Sequence, residues 1–296
     1  MEIMKKELFE SFDGTQIPYL SYENGNKKKV IMLHGLYEYA DRYNDFALKL
    51  NDAGYDVYLF EYRGHGDLRE SEVADFGDKG ITGILNDIKL FIKKKLNHVR
   101  NEDIFLIGKG VGGLLSLYLQ EDIKLKNSVL ISMPIEKKFS IFMGKIITNV
   151  EMKFGMKNSF INKFILRTLN RSFVKEGKSA WLNRDKDVVA AYLADDKYLK
   201  QGSARLYNNV LSLTAYIKKN IKKINENANI FVVFGTRDAL VSETKLKKYM
   251  QKINNGKNNI KFLKVKKARH DILFELNKED IIKQIIEYMD GITNGN

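Results

Sequence analysis

The sequence predicts an α/β protein, with a mostly parallel β-sheet covered by helices on both faces and a helical cap inserted into it. Short apolar runs typical of fully buried strands alternate with amphipathic runs of helical spacing. Strands and helices that alternate in this way build parallel sheets with two covered faces. With 296 residues, 44% of them hydrophobic, the chain is long enough to bury such a core.

The first 134 residues predict most of the sheet. Residues 5–23 contain two β-like runs around an Asp-Gly turn, which is a hairpin signal. Strands and helices then alternate, and the helices show apolar residues at helical spacing. In order, these stretches are the strand "KKVIMLHG", the helix "RYNDFALKLNDAG", the strand "YDVYLFEYRGHG", the helix "GILNDIKLFIKKKL", the strand "DIFLIGKG", the helix "GGLLSLYLQ" and the strand "NSVLISMP".

The alternation stops after Pro134. Residues 135–205 are mainly of helical character, rich in Phe, Ile, Met and Lys. The alternation returns with the strand "ANIFVVFGTRD", the helix "SETKLKKYMQKI", the strand "IKFLKVKKARHD" and the helix "KEDIIKQIIEYM". We therefore expect a core formed by residues 1–134 and 206–296, and a helical cap formed by residues 135–205.

Composition narrows the classes of function. No apolar run approaches the 18 residues of a membrane span, "MEIMKKELFE" lacks the apolar core of a signal peptide, and there is no cysteine. We expect a cytoplasmic protein, either free or peripheral to a membrane. The net charge of +13 raises the question of nucleic acid. Zinc-ligand spacing, a basic recognition helix and an aromatic-basic strand pair are all missing from the sequence, so no nucleic-acid partner is expected.

Four polar or glycine-rich segments follow predicted strands. They are "LHGLYE", "GKGVGG", "GTRDAL" around Asp238 and "ARHDIL" around His270. In parallel sheets such segments meet at the carboxyl edge, where ligands bind. A turn, then an acid, then a histidine is the chain order of a hydrolase triad, in which a buried carboxylate orients the imidazole. Asp238 and His270 suit these two roles, and the backbone amides of Leu36 and Val111 would hold an oxyanion.

With these residues the chain resembles the monoacylglycerol lipase and lysophospholipase branch of the α/β-hydrolases. The matching stretches, which span about residues 30 to 275, are "VIMLHGLYEYADRY", "EYRGHG", "IFLIGKGVGG", "VVFGTRD" and "RHDILFE". The resemblance implies an α/β-hydrolase fold of about eight strands, hydrolysis of carboxylic esters of lipid-like substrates, and no metal or organic cofactor. Residues of these stretches that would line the binding site are His34, Gly35, Tyr37 and Lys109.

The chain departs from the family pattern at the catalytic turn. Gly110 stands where the family has its nucleophilic serine, and Lys109 stands where it has histidine. Ser116 and Ser132 lie too far along the chain to replace the serine. Loss of the nucleophile costs about 10⁶ in turnover, or about 8 kcal/mol of barrier. A covalent acyl-enzyme through position 110 is therefore excluded.

Each candidate also has a purely structural interpretation. Asp238 could cap the helix that begins near Ser242, and His270 could be an ordinary loop histidine. Their joint position at two strand ends favours an inherited dyad. His34 and His65 suit structural roles, in the loop of the oxyanion site and in a turn. Lys109 could replace the catalytic base, but a residue beside the turn is better placed to pair with an acid.

The cap combines basic and apolar residues. Residues 137–175 contain seven Lys, two Arg and one acid, Glu151, which gives a net charge of +8. Interleaved apolar residues suit the surface of an anionic membrane, or alternatively an apolar face closing over the cap's own pocket.

Three hypotheses of function follow. The first is a degenerate hydrolase-family protein that binds an acyl or other lipid-like ligand. The second is a weakly active hydrolase in which His270, oriented by Asp238, activates water. The third is a non-catalytic scaffold that meets membranes or acidic partners through its basic cap. The sequence leaves open whether the chain is an enzyme.

Overall fold

The computed structural model describes residues 4–253 and 259–293 and contains a twisted eight-stranded sheet. The strands of the described residues are β1 Lys5–Glu10, β2 Gln16–Tyr22, β3 Lys28–Leu33, β4 Tyr55–Phe60, β5 Val73–Ala74, β6 Ile104–Lys109, β7 Asn127–Ile131, β8 Gln201–Gly202, β9 Asn229–Gly235 and β10 Asn259–Val265. The order in the large sheet is β1-β2-β4-β3-β6-β7-β9-β10, and all neighbours from β4 to β10 pair in parallel. The hairpin of β1 and β2 adds an antiparallel edge.

Nine α-helices accompany the strands within these described residues. They are α1 Asn44–Asp52, α2 Gly80–Lys95, α3 Val111–Asp122, α4 Lys138–Lys153, α5 Phe160–Arg171, α6 Lys186–Ala194, α7 Ala204–Asn220, α8 Glu243–Met250 and α9 Lys278–Thr293. Helices α2, α3 and α7 cover one face of the sheet, and α1 and α9 cover the other. The predicted fold class is confirmed, because the sheet is mostly parallel and both of its faces are covered.

The sheet buries two apolar layers because successive residues of each strand point to opposite faces. In β3, Ile31 packs in the layer under α2 and α3, whereas Met32 packs in the layer under α1 and α9. The central strand β6 is buried along its whole length. Runs of apolar residues in the sequence are therefore strands covered on both faces, as expected for a parallel sheet.

Residues 135–205 contain α4, α5 and α6, and one departure from the predicted helical character. The short strand β8 pairs in parallel with β5, and the Ser203 N–H donates to the Ala74 carbonyl at 3.0 Å. Two-residue strands leave no periodicity in a sequence, so this pairing was not predicted. It attaches the segment to the loop that follows β4. No α-helix in the described part of the chain is long and apolar enough to cross a bilayer.

A buried ionic cluster holds together the loops at the carboxyl edge of the sheet. Lys109, at the end of β6, forms ion pairs with Glu38 and, at 3.0 Å, with Asp271. Arg42 contacts the same two carboxylates, with Nη2 2.5 Å from Asp271 Oδ2 and Nη1 3.2 Å from Glu38 Oε1. The cluster therefore joins the β3–α1 loop (residues 34–43), the β6–α3 turn and the β10–α9 loop (residues 266–277).

All four side chains of this cluster carry their charge. Burial opposes ionisation of Lys109, but Asp271 and Glu38 outweigh it and place the pKa of Lys109 above its ordinary value. Burial likewise opposes ionisation of Asp271, but Arg42 and Lys109 hold its pKa well below the ordinary range. Two cations face two anions, so the buried charges cancel.

Substitution of Lys109 by methionine is expected to lower the free energy of unfolding by about 3–5 kcal/mol, because it leaves two carboxylates with a single buried cation. Urea unfolding at pH 7 measures the loss. K109M/D271N removes one charge of each sign and should lose less. The exposed Lys219 serves as the control, and K219M should change stability by less than about 0.5 kcal/mol. Equal stability of K109M and K219M would contradict the described cluster.

A second buried group makes the fold sensitive to acid. His65 lies in the turn after β4, stacked on Phe76 with ring centroids 5.5 Å apart, and its Nδ1 lies 3.1 Å from the Arg63 carbonyl oxygen. Burial, with a smaller contribution from His34, lowers the pKa of His65 to about 3. The unfolded chain takes up a proton at His65 near the ordinary histidine pKa of about 6.5, whereas the folded chain does not until about pH 3.

Between pH 7 and pH 5, His65 is therefore expected to cost about 2 kcal/mol of unfolding free energy, because only the unfolded state binds the proton there. Urea unfolding at pH 7 and pH 5 measures this loss of unfolding free energy, which should be about 2 kcal/mol smaller in H65Q than in the wild type. H98Q, at an exposed histidine, is the control and should keep the wild-type difference. An H65Q protein with the wild-type pH dependence would show that His65 titrates normally.

Candidate active site

The β6–α3 turn, which we call the elbow (residues 108–113), has the geometry of a catalytic turn without a catalytic side chain. Gly110 has φ 57° and ψ −115° and forms the N-cap of α3. Its N–H donates to the Ile131 carbonyl at 2.8 Å. A Cβ placed on Gly110 would meet only Gly35 Cα, at 3.8 Å, so there is open space where a side chain would stand. The positive φ favours glycine at this position.

Close packing brings the elbow against the β3–α1 loop. A Cβ on Gly112 would lie 2.1 Å from the Leu33 carbonyl oxygen, so that position accepts only glycine. Leu36 and Val111 thereby lie on the two segments that approach each other. Within the part of the chain that the structure describes, neither of their backbone N–H groups donates to a protein acceptor. Both are available to an oxygen atom of a ligand, which fits the oxyanion role expected for them.

Asp238 and His270 are in contact. Asp238 follows β9, His270 follows β10, and His270 Nδ1 lies 3.0 Å from Asp238 Oδ2 and 3.2 Å from Oδ1. Both side chains are buried. Asp238 Oδ1 also accepts the Leu240 N–H at 2.8 Å, whereas Ser242 is the N-cap of α8. Asp238 therefore orients the imidazole and does not cap the helix, and Nε2 is the ring nitrogen left for chemistry.

Two contacts place His270 beside the elbow. Lys109 and Asp271, the chain neighbours of Gly110 and His270, form the ion pair at 3.0 Å. The Ser132 hydroxyl donates to the His270 carbonyl oxygen at 2.8 Å. The residue before Ser132, Ile131, accepts the Gly110 N–H at its carbonyl oxygen. Ser132 is thus a positioning residue for the histidine. The elbow, the dyad and the two free N–H groups share one edge of the sheet.

Sequence reasoning missed Trp181, whose ring centroid lies 5.5 Å from that of His270. Trp181 is 8% exposed, and its Nε1 has no hydrogen-bond partner. Arg269 and the backbone of Asp271 hold its segment in place, donating to the Asn183 carbonyl at 2.9 Å and to the Leu182 carbonyl at 2.8 Å. The one signal was that Trp181 is the only tryptophan in the chain, which does not reveal a contact with a residue 89 positions away.

The remaining candidate binding residues have protein partners. His34 Nδ1 lies 2.8 Å from the Gly35 carbonyl oxygen, and its Nε2 lies 2.9 Å from Glu61 Oε1. Lys109 is held in the ionic cluster with its pKa above the ordinary value, which favours pairing over a role as base. The Tyr37 hydroxyl is hydrogen-bonded to the Tyr207 hydroxyl on α7, so Tyr37 links the β3–α1 loop to that helix.

The arrangement can bind and orient an oxygen-containing group but offers no side-chain nucleophile at the elbow. An imidazole held by a carboxylate and two backbone donors lie at the same edge of the sheet as the open space at Gly110. Among residues 4–253 and 259–293, no cluster of three or more His, Asp or Glu side chains is arranged to hold a metal ion.

Comparison with known proteins identifies the family. Residues 24–277 match the family described as serine aminopeptidase, S33. The monoglyceride lipase of Saccharomyces cerevisiae is 23% identical over 308 residues, which cover 95% of this chain and 90% of that protein.

Solved structures show the same fold. A thermostable carboxyl esterase from Bacillus coagulans aligns with a TM-score of 0.84 and 17% identity over 98% of each chain. The monoacylglycerol lipase of Paleococcus ferrophilus aligns with a TM-score of 0.73 and 20% identity over 94% of this chain and all of that one. A soluble variant of the yeast monoglyceride lipase, in complex with a substrate analogue, aligns with a TM-score of 0.75 and 18% identity over 98% of this chain and 96% of that one.

The resemblance stated from the sequence motifs is confirmed, since the matched residues enclose the elbow, the dyad and the segment between them. The chain belongs to the serine aminopeptidase S33 family and is a monoglyceride lipase-like and esterase-like α/β-hydrolase.

Proposed function

We propose that this protein is a degenerate member of its family that binds an acyl or other lipid-like ligand at the elbow and no longer cleaves it through a serine. The observation that carries the proposal is the Gly110 turn, open at its apex, beside a dyad whose members are in hydrogen-bond contact. An imidazole oriented by a carboxylate and two backbone N–H groups without a protein acceptor are together suited to bind an oxygen-containing group.

The surroundings of the elbow suit an apolar chain. Leu36 and Val111 pack in the apolar layer that continues under α3 and α7. Trp181 and Leu240 belong to a smaller apolar cluster beside His270. We propose that residues 135–205 act as the cap over this space, which would exclude water from a bound acyl chain.

Residual hydrolysis by water is the second candidate function. The imidazole is oriented by Asp238, and the space at Gly110 has room for a water molecule next to two oxyanion donors. A general base of this kind contributes about 10² to 10⁴ in rate. It cannot replace the roughly 10⁶ that a triad nucleophile supplies, so any such activity would be weak.

A membrane-facing surface of α4 and α5 is the third candidate. Phe139 and Phe142 on α4 are 73% and 61% exposed, and Phe164 on α5 is 72% exposed. Glu151, the only acid in residues 137–175, is buried and accepts hydrogen bonds from the Ser159 hydroxyl and the Phe160 N–H. The exposed charge of this segment is therefore wholly basic, which suits anionic lipid.

The wild-type protein is expected to bind 1-decanoylglycerol with a saturable change in the fluorescence of Trp181, and to leave the ester intact. G110S should hydrolyse it and react with a fluorophosphonate, because the serine would stand beside an assembled dyad. The positive φ should cost G110S about 1–3 kcal/mol of stability. G110S/H270A is the control, and it should lose both the hydrolysis and the reaction with the fluorophosphonate that are expected of G110S.

Hydrolysis by the wild type that disappears in H270A would favour the water mechanism over a binding protein. A folded G110S that remains unreactive would contradict the assignment of Gly110 to the nucleophile position. Absence of any fluorescence change with the lipid would count against the binding proposal.

The protein is expected to sediment with phosphatidylglycerol vesicles, and F139S/F142S should weaken this binding by about tenfold or more, since each phenylalanine removed loses apolar burial in the bilayer. The matched control is L8S/L276S, which removes two residues of similar exposure elsewhere on the surface. Equal binding of the two double variants would contradict a membrane role for α4. High salt should weaken the wild-type binding.

A further inference from the structure

We propose that the preferred polar end of the ligand is an ionised carboxylate, so that the elbow holds a single-chain free fatty acid more tightly than an ester of the same chain. The inference rests on the proposed function, which supplies the acyl chain, and it names the headgroup. It comes from the balance of hydrogen-bond donors and acceptors around the open space at Gly110.

The site is rich in unpartnered donors. The backbone N–H groups of Leu36 and Val111 and the indole Nε1–H of Trp181 have no protein acceptor within the described residues. The carboxylate of Asp238 is already taken, since it accepts from His270 and Leu240. In the neutral imidazole, Nε2 of His270 is then the one acceptor of this set without a partner among the described residues. Three donors against one acceptor favour a ligand group that brings acceptors.

The imidazole of His270 adds to this set. Nδ1 faces Asp238, and Nε2 makes no hydrogen bond to the described part of the chain. A fatty acid that binds here can transfer its carboxyl proton to Nε2, which then becomes a fourth donor, and Asp238 stabilises the resulting imidazolium from the other side. The charges of the buried cluster cancel, so they do not oppose an anion.

A carboxylate matches this donor set better than an ester does. It brings two oxygens with about four lone-pair sites, all acceptors, and its hydrogen bonds are charge-assisted. An ester brings one strong acceptor, its carbonyl oxygen, and a bulky alcohol portion on the other side. The missing side chain at Gly110 leaves room for the second carboxylate oxygen, because a Cβ there would meet nothing closer than 3.8 Å.

Trp181 is the specificity residue in this proposal. Its buried N–H is an unsatisfied donor, which makes an acceptor at this point favourable. Its position is set by the bonds from the β10–α9 loop to the Leu182 and Asn183 carbonyls, so the indole and the imidazole form one unit. The net charge of +8 on residues 137–175 would attract an anionic ligand towards the cap.

Isothermal titration calorimetry with decanoate and with 1-decanol tests the headgroup at constant chain length. The wild type is expected to bind decanoate at least about tenfold more tightly than 1-decanol. W181F keeps an aromatic ring and removes the N–H, and it should lose about tenfold in affinity for decanoate with little change for 1-decanol. G110A should also weaken decanoate selectively, by filling the space of one oxygen.

The outcomes separate this inference from the proposed function. Equal affinities for decanoate and 1-decanol would overturn the carboxylate while leaving an acyl-binding protein. Binding of neither compound would overturn both. A preference for decanoate that is unchanged in both W181F and G110A would place the carboxylate elsewhere and overturn the site. Thermal unfolding of both variants shows that they fold.

Discussion

Two buried cations and two buried anions hold the working edge of this sheet together. Lys109, Arg42, Glu38 and Asp271 come from three different loops, and each cation contacts both carboxylates. Such a cluster is stable only while its charges balance, because a single unpaired charge is costly in a buried position. The relative positions of the elbow, the β3–α1 loop and His270 therefore depend on one another through these contacts.

This constraint gives Lys109 a structural reason to differ from the family pattern. Lys109 precedes Gly110, and Asp271 follows His270. Their ion pair therefore fixes the position of the elbow relative to His270. The elbow then keeps its shape without a nucleophile, and glycine relieves the strain of a positive φ at the apex. A glycine at the apex of the elbow and the observed geometry of the site are thus compatible in one structure.

Polar groups and large apolar groups occupy different parts of the molecule. The carboxyl edge of the sheet carries polar groups that face one another, whereas α4 and α5 carry large apolar side chains and basic groups that face outward. Glu151 is buried, and its carboxylate accepts the Phe160 N–H at the start of α5. A lipid-like ligand and an anionic surface are consistent with this distribution, since both combine apolar and negatively charged parts.

Local pattern by itself determined the alternation of strands and helices, the elbow at Gly110 and the pair Asp238 and His270, because burial on two faces and strand-end chemistry leave periodic or short-range signals. The pairing of β5 with β8, the unpartnered indole of Trp181 beside His270 and the ionic cluster were decided only by the tertiary structure. Each joins residues far apart in the chain, and partners across such distances are set by how loops pack at the sheet edge, which no local spacing encodes.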